Sequence, residues 1–344
     1  MKPADYLNEW VNKITPYSPG KTIEGTTKLA SNENSYGPSP KVIAGLREFL
    51  PQVFRYPYKN LHVKEALAAY CRVKPENVVI SNGSDEMVEL LIKAFKGPVA
   101  GLYPTFLSYP IYSQIYNREY ISSALEPDFS FNVQRFIKET WKANLLFLCS
   151  PNNPTGTVIE LRDLEEIAQT GKILAVDEAY FEYHGITAKN LLLNYPNVII
   201  MRTMAKAFGL AGMRIGYALA DPQIAEAVRK VRGPFTVNYL AQEAALLALK
   251  DTDYMKKIVS RVLTDRKAIE IRLSEKYRVI PSNANFILFD VSPMTSKEFF
   301  EKMLEQKIVV RPQPQFQGFP GNYVRITVGT TEENYKLLDA ISKM

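Results

Sequence analysis

Histidine, cysteine and tryptophan are scarce: the chain of 344 residues carries two of each. Cys71 and Cys149 lie far apart, and neither belongs to a CxxC pair, which excludes a disulfide framework and a dithiol redox motif. His62 and His184 cannot build a histidine-rich metal site, so no metal is expected and acid–base chemistry must rest on other groups. All four residues are expected in buried structural or bystander roles. No apolar run is long enough to cross a bilayer. The opening "MKPADYLNEWVNKI" lacks the charged-then-apolar pattern and cleavage site of a secretory signal. It reads instead as a short amphipathic helix with Leu7, Trp10, Val11 and Ile14 on one face. The expectation is a soluble, cytoplasmic protein with no membrane partner. The net charge is +6, but Lys and Arg are interspersed with Asp and Glu and form no basic tract, so no nucleic-acid partner is expected.

Hydrophobic residues make up 46% of the chain, enough for a sizeable core. From residue 40 to 235, short apolar runs alternate with helical patterns. "NVVI" (77–80), "VAGL" (99–102), "LLFLC" (145–149), "KILAV" (172–176) and "VIIM" (198–201) read as buried strands. "SDEMVELLIKAFKG" places Met87, Val88, Leu91, Ala94 and Phe95 at helical spacing, with Gly97 as the expected stop. The alternation predicts an α/β fold: a large domain over 40–235 with a mostly parallel sheet covered by helices on both faces. After 235 a long helix is expected over 252–275. Strands follow at "NFILFD" (285–290), "IVV" (308–310) and "YVRITVG" (323–329), around a helix at 296–306. That is an α+β pattern, so 236–344 together with 1–39 form a smaller domain with an N-terminal arm.

In open parallel sheets, ligands bind beyond the carboxyl ends of the strands. Three such ends carry suitable polar groups. "VVISNGSDE" (78–86) runs from strand to turn to helix, and the free N–H groups of Ser84 and Asp85 favour an anion such as phosphate. The Asp85 side chain then points away or caps the turn; by itself this is also an ordinary βα turn. "FLCSPNNPTG" (147–156) is a rigid extended loop that presents Asn153. "ILAVDEAYFEY" (173–183) places Asp177 straight after an apolar strand, with Tyr180 three residues on. A carboxylate there is partly desolvated and needs a positive or hydrogen-bonding partner, although it could equally cap the next helix.

The fourth piece is "TMAKAFGLAGMRIGY" (203–217), after "VIIM". A lysine in a partly buried site loses its proton readily and can form a Schiff base with a carbonyl. Thr203 and Arg214 flank Lys206 at spacings that let both hold one phosphate, and Gly209, Gly212 and Gly216 allow close approach of the backbone. A lone lysine is usually a solvated surface residue; the constellation argues otherwise. Together the four pieces ask for a ligand with a phosphate, an aldehyde and a ring that welcomes a carboxylate, and pyridoxal 5′-phosphate has all three.

"TPYSPGK" (15–21), "LASNEN" (29–34), "RYP" (55–57), "SPNNPTG" (150–156), "VDEAY" (176–180), "KAFGLAGMRIGY" (206–217) and "YVRITVGT" (323–330) span nearly the whole chain. In this order they resemble the fold-type-I pyridoxal-phosphate enzymes and, within them, the histidinol-phosphate aminotransferase branch. The resemblance implies an aspartate-aminotransferase-like fold and a role for each matching residue. Lys206 would bind the cofactor aldehyde and shuttle protons, and Asp177 would hold the pyridine nitrogen protonated. Asn153 and Tyr180 would bond the ring hydroxyl, and Phe106 would stack on the ring. The backbone at Ser84 and Asp85, with Thr203 and Arg214, would hold the cofactor phosphate. Tyr56 would reach that phosphate from the partner subunit of a homodimer. Tyr17, Arg311 and Arg325 would receive a substrate phosphate, and Arg325 would also grip the carboxylate of glutamate. The implied reaction interconverts L-histidinol phosphate and 2-oxoglutarate with imidazole-acetol phosphate and L-glutamate, in histidine biosynthesis. An aromatic amino-acid aminotransferase of the same branch is the alternative, then a threonine-phosphate decarboxylase or a non-catalytic cofactor-binding protein. Ala205 stands where family members commonly have serine, which removes a possible hydroxyl contact to the phosphate.

Overall fold

The computed structural model describes residues 3–16 and 20–344. The chain opens with two 3-10 turns, Pro3–Tyr6 and Glu9–Lys13, and a short strand, β1 (Thr27–Lys28). Next come helices α1 (Pro40–Phe49) and α2 (Asn60–Cys71), then β2 (Val78–Asn82), α3 (Gly83–Ala94), β3 (Val99–Tyr103), α4 (Ser108–Ile115) and β4 (Tyr120–Ala124). The middle runs through α5 (Val133–Glu139), β5 (Leu145–Cys149), α6 (Leu161–Ala168), β6 (Ile173–Asp177), α7 (Phe181–His184), β7 (Val198–Thr203), β8 (Ile215–Ala220) and α8 (Pro222–Val231). The last third holds α9 (Tyr239–Leu249), α10 (Thr252–Ser274), β9 (Arg278–Ile280), β10 (Phe286–Asp290), α11 (Ser296–Glu305), β11 (Ile308–Val309), β12 (Arg311–Pro312), β13 (Tyr323–Thr327) and α12 (Thr331–Ser342).

The large sheet has seven strands in the order β2-β8-β7-β6-β5-β3-β4. Only β8 runs against its neighbours; the others are parallel. Alternation along each strand feeds two cores. Val78, Ile80, Leu146, Leu148, Leu174, Val176, Val198 and Ile200 face one side, with Val63 and Leu67 of α2 and Ile167 of α6. Val79, Leu145, Phe147, Ala175, Ile199 and Met201 face the other, with Val88 and Leu91 of α3, Tyr109 of α4 and Val228 of α8. Helices therefore cover both faces, as the near-continuous apolar strands require. A second sheet, β12-β13-β10-β9, is antiparallel, and β1 pairs parallel with β11, which ties the N-terminal segment to the C-terminal part. Helix α9 packs against α1 and α2 rather than on the second sheet, so the change of texture near 235 precedes the change of packing.

Several sequence expectations need correction. Among the described residues no amphipathic helix forms at the N-terminus. The two 3-10 turns are too short for a self-supporting helix, and Leu7 and Val11 are exposed. Trp10 instead donates its indole N–H to the Ile115 carbonyl at 3.3 Å. Helix α3 stops at Ala94, ahead of Gly97, because Phe95 turns extended and packs into the second core. β8 was hidden in a glycine-containing stretch, and β4, with its serines, in a half-polar one. Among the described residues no helix is long and apolar enough to cross a membrane.

The parallel strands set Asn82, Tyr103, Cys149, Asp177 and Thr203 along one sheet edge, and antiparallel β8 begins there, opposite Asn82 and Thr203. Gly216 makes this junction possible: a Cβ on it would lie 2.5 Å from the Gly83 carbonyl carbon and 2.7 Å from the Ser84 nitrogen. Gly216→Ala is therefore expected to push β8 off the start of α3. The cost should be about 1–3 kcal/mol of unfolding free energy, measured by urea denaturation, with weaker cofactor binding. An unchanged denaturation midpoint would contradict this packing.

Candidate active site

A cavity of about 280 Å³ opens at that edge. Of the residues singled out from sequence, Ser84, Asp85, Phe106, Asn153, Asp177, Tyr180, Thr203, Lys206, Arg214, Arg311 and Arg325 all line it. Tyr56 does not; it is exposed and stacks on Phe235 with ring centroids 4.7 Å apart. Tyr17 lies outside the described residues. Neither histidine lines the cavity; Cys149 does, as a buried bystander. Its thiol donates to the Pro151 carbonyl, and burial raises its pKa well above the ordinary value, so it is no nucleophile.

Asp177 is the most buried acid of the site, 2% exposed. It ends β6 level with Cys149 and Met201. The Tyr109 hydroxyl donates to one carboxylate oxygen at 2.7 Å, and the Ala179 N–H donates to the other at 3.0 Å. Among the described residues no arginine or lysine pairs with it. Burial accordingly pushes its pKa up to about 6, although both hydrogen bonds oppose the rise. Tyr109 escaped the sequence reading because a tyrosine within a helical apolar pattern looks like core; its ring does stack on Phe147 at 4.9 Å, and only the hydroxyl reaches Asp177.

Lys206 follows β7 and extends toward Tyr180, with its ammonium 5.8 Å from the ring centre. It donates weakly to the Ser31 carbonyl at 3.4 Å. Burial, with the Arg325 guanidinium next in weight, pulls its pKa down to about 8. Arg325 is 8% exposed, contacts the Ala30 carbonyl at 2.8 Å and also bonds Asn153. It stands directly opposite Arg311 across the β12–β13 pair, and both side chains line the cavity. Like charges opposite each other on paired strands repel, so this end of the site favours an anion.

Asp85 departs from expectation. Its carboxylate turns inward, accepting from Arg214 at 3.1 Å and from the Ser108 hydroxyl at 2.9 Å. The Arg214 guanidinium, paired on one side with Asp85, lies against Gly83 at the start of α3, where the helix dipole favours an anion. Thr203 donates its hydroxyl to the Ile215 carbonyl and accepts from the Ala205 N–H, each at 3.1 Å.

Residues 24–341 match the family profile of aminotransferase class I and II. The chain belongs to this family. The aminotransferase is 33% identical to the histidinol-phosphate aminotransferase of Methanocaldococcus jannaschii, covering 98% of this chain and 97% of that protein. It is 38% identical to the one from Thermoanaerobacter sp. (strain X514), with 92% of each chain covered. Its fold superposes on the crystal structure of the Sinorhizobium meliloti enzyme in complex with pyridoxal-5′-phosphate, with a TM-score of 0.89 at 23% identity over 98% of this chain and 97% of that one. The family works with pyridoxal phosphate, and the cavity fits that group. A buried carboxyl without a cation asks for a protonated ring nitrogen, a half-buried lysine of lowered pKa suits an aldehyde, and Arg214 at the start of α3 suits a phosphate.

The lowered pKa sets the direction of one linkage. Between pH 8 and 10.5 the folded protein has released the Lys206 proton and the unfolded chain has not, so folding stability rises with pH in that window. Below it, the charged amine destabilises the fold. Cofactor-free Lys206→Met protein is therefore expected to melt about 2–4 °C above the parent at pH 7, with the gap closing toward pH 10.5. Calorimetry at both pH values checks this, and a gap that widens with pH contradicts it.

Proposed function

We propose that the protein is a homodimeric, cytoplasmic transaminase that moves the amino group of L-histidinol phosphate to 2-oxoglutarate. The observation that carries the substrate is the facing pair Arg311 and Arg325, a doubled cation lining the cavity and suited to a phosphate monoester, with Arg325 also taking the carboxylate of glutamate in the second half-reaction.

Bound pyridoxal phosphate supplies a carbonyl that takes up the amine and a ring that accepts electrons. The residues do the rest. Arg325, fixed by the Ala30 carbonyl, orients the acid group. Asp177 keeps a proton at the ring nitrogen, because a cation beside the buried carboxyl removes the penalty that burial imposes on its charge. Lys206 carries a proton at Nζ and gives it up near neutral pH, as its lowered pKa allows. Tyr180 and Asn153 bond the ring oxygen, Phe106 covers the ring, and Arg214 with Thr203 and the Ser84 and Asp85 backbone holds the cofactor phosphate. Tyr17 joins the arginines on the substrate phosphate.

The dimer rests on an apolar strip. Leu50, Val53, Phe54, Tyr56 and Tyr58 stand exposed, with exposed Phe235 stacked on Tyr56, and a second copy of the chain is the occupant that also explains Tyr56. Outside its own cavity, that residue completes the phosphate end of its partner's site. Phe54→Asp is expected to give monomers in sedimentation and about 10-fold weaker cofactor binding; a dimeric variant would remove this assignment.

The decisive experiment is a visible-absorbance titration of cofactor-loaded protein with L-histidinol phosphate and no keto acid. Conversion to the pyridoxamine form at low substrate is expected. Arg311→Ala should slow that half-reaction by about 10- to 100-fold and barely touch the glutamate half, whereas Arg325→Ala slows both. A band that responds only to phenylalanine or tyrosine moves the substrate to aromatic amino acids, and carbon dioxide release from threonine phosphate moves it to decarboxylation. Lys206→Ala should abolish turnover altogether.

A further inference from the structure

The N-terminal strand segment brings three successive residues to the three side chains that do the chemistry. The Ala30 carbonyl accepts from Arg325, the Ser31 carbonyl from Lys206, and the Asn32 side-chain amide donates to the Tyr180 hydroxyl oxygen at 2.9 Å. Asn32 is the only one of these contacts made by a side chain. It is 2% exposed and lines the cavity.

Nothing about Asn32 is free to adjust. Its backbone N–H donates to the Thr327 hydroxyl at 2.9 Å, and its carbonyl accepts from the Asn285 amide at 3.1 Å. The Thr327 hydroxyl lies 3.4 Å from the Asn32 side-chain oxygen, which leaves the NH₂ end for Tyr180. The backbone is left-handed, φ 55°, a conformation that asparagine tolerates and most side chains resist. A buried residue kept in that conformation with every polar group engaged has a fixed direction of donation.

That direction decides what Tyr180 can do. A phenol has one proton. If its oxygen accepts from Asn32, the proton stays available for another acceptor in the cavity. We infer that Asn32 is a positioning residue: its amide makes Tyr180 the acceptor and so directs the Tyr180 hydroxyl proton at the cofactor ring oxygen. This rests on the reading that Tyr180 bonds that oxygen. A hydrogen bond donated to the ionised ring oxygen favours the deprotonated cofactor. Loss of the bond therefore raises the pH midpoint of the cofactor's visible absorbance.

The test is a cycle of four holoenzymes: parent, Asn32→Gly, Tyr180→Phe and the double variant. Each is titrated by absorbance against pH, with cofactor dissociation measured alongside. Glycine accepts a positive φ without strain and removes only the side chain. Tyr180→Phe is expected to raise the midpoint by about one pH unit, and Asn32→Gly by about half a unit or more in the same direction. The double variant should match Tyr180→Phe alone. If Tyr180→Phe shifts the midpoint and Asn32→Gly does not, or if the two shifts add, the inference is wrong while the role of Tyr180 stands. If Tyr180→Phe shifts nothing, the role of Tyr180 falls and the inference with it. Should Asn32→Gly fail to fold, Asn32→Asp serves. Its carboxylate can only accept, so the Tyr180 proton turns away from the ring, and the midpoint rises by an amount that shrinks in the Tyr180→Phe background. An equal rise in both backgrounds overturns the inference.

Discussion

The site depends on a carboxyl group held in a dry place without a counter-charge. Asp177 sits at the end of the central strand β6, walled by apolar neighbours, and two neutral donors hold its oxygens. Neutral donors soften burial but do not cancel it, which is why the group keeps a proton up to about pH 6. The rest of the cavity is arranged around that deficit. One end, at Arg214 and the start of α3, attracts an anion; the other, at Arg311 and Arg325, attracts another; the middle asks for a cation. A ligand of alternating charge answers all three demands at once, and a uniformly charged one answers none.

Two sheets have to meet for that arrangement to exist. The cation-seeking middle and one anion end come from the large sheet, whereas Arg311 and Arg325 come from β12 and β13. The segment around residues 27–32 joins them. Thr27 and Leu29 donate their N–H groups to the strand β11 region, and Thr327 of β13 donates to the Leu29 carbonyl. The same segment reaches across to Lys206 and Tyr180. A second seam lies at the far side, where Phe316 and Phe319 pack on Tyr103 and Phe129. It fixes the loop that carries Gln313 into the cavity. Geometry at the reacting atoms is thus set by contacts between units as much as by either sheet.

What the sequence revealed follows from where its signals are local. Asp177, Asn153 and Lys206 could be found because each is a polar residue soon after a short apolar run, and a parallel sheet gathers such ends along one edge. Arg325 sits inside a strand, and only the motif around it marked it out. β8 was missed because Gly216 sits in it for close approach to Gly83, so the strand reads as a loop. Tyr109 and Asn32 were missed as site residues for a different reason. Their roles lie in one polar atom each, aimed at a residue far away in sequence, and nothing local distinguishes that atom from an ordinary buried tip. Asp85 was assigned its backbone, but its carboxylate faces inward, because the pull of Arg214 is a tertiary effect that no turn pattern encodes.

The anion end shows how such details combine. With Ala205 before the lysine, no hydroxyl is offered at that position. Thr203 has a hydroxyl whose single proton goes to the Ile215 carbonyl, but that carbonyl also accepts from the Met204 N–H at 3.0 Å, so the hydroxyl can turn toward an anion without leaving a buried backbone acceptor unpaired. The other donors are the guanidinium of Arg214 and the N–H groups in the first turn of α3. Arg214 is itself kept in a left-handed conformation, φ 57°, just before β8, and β8 can approach α3 only because Gly216 has no side chain. Charge recognition at this end therefore rests on a steric condition in a strand: the glycine that hides β8 from the sequence is what brings the arginine to the start of α3.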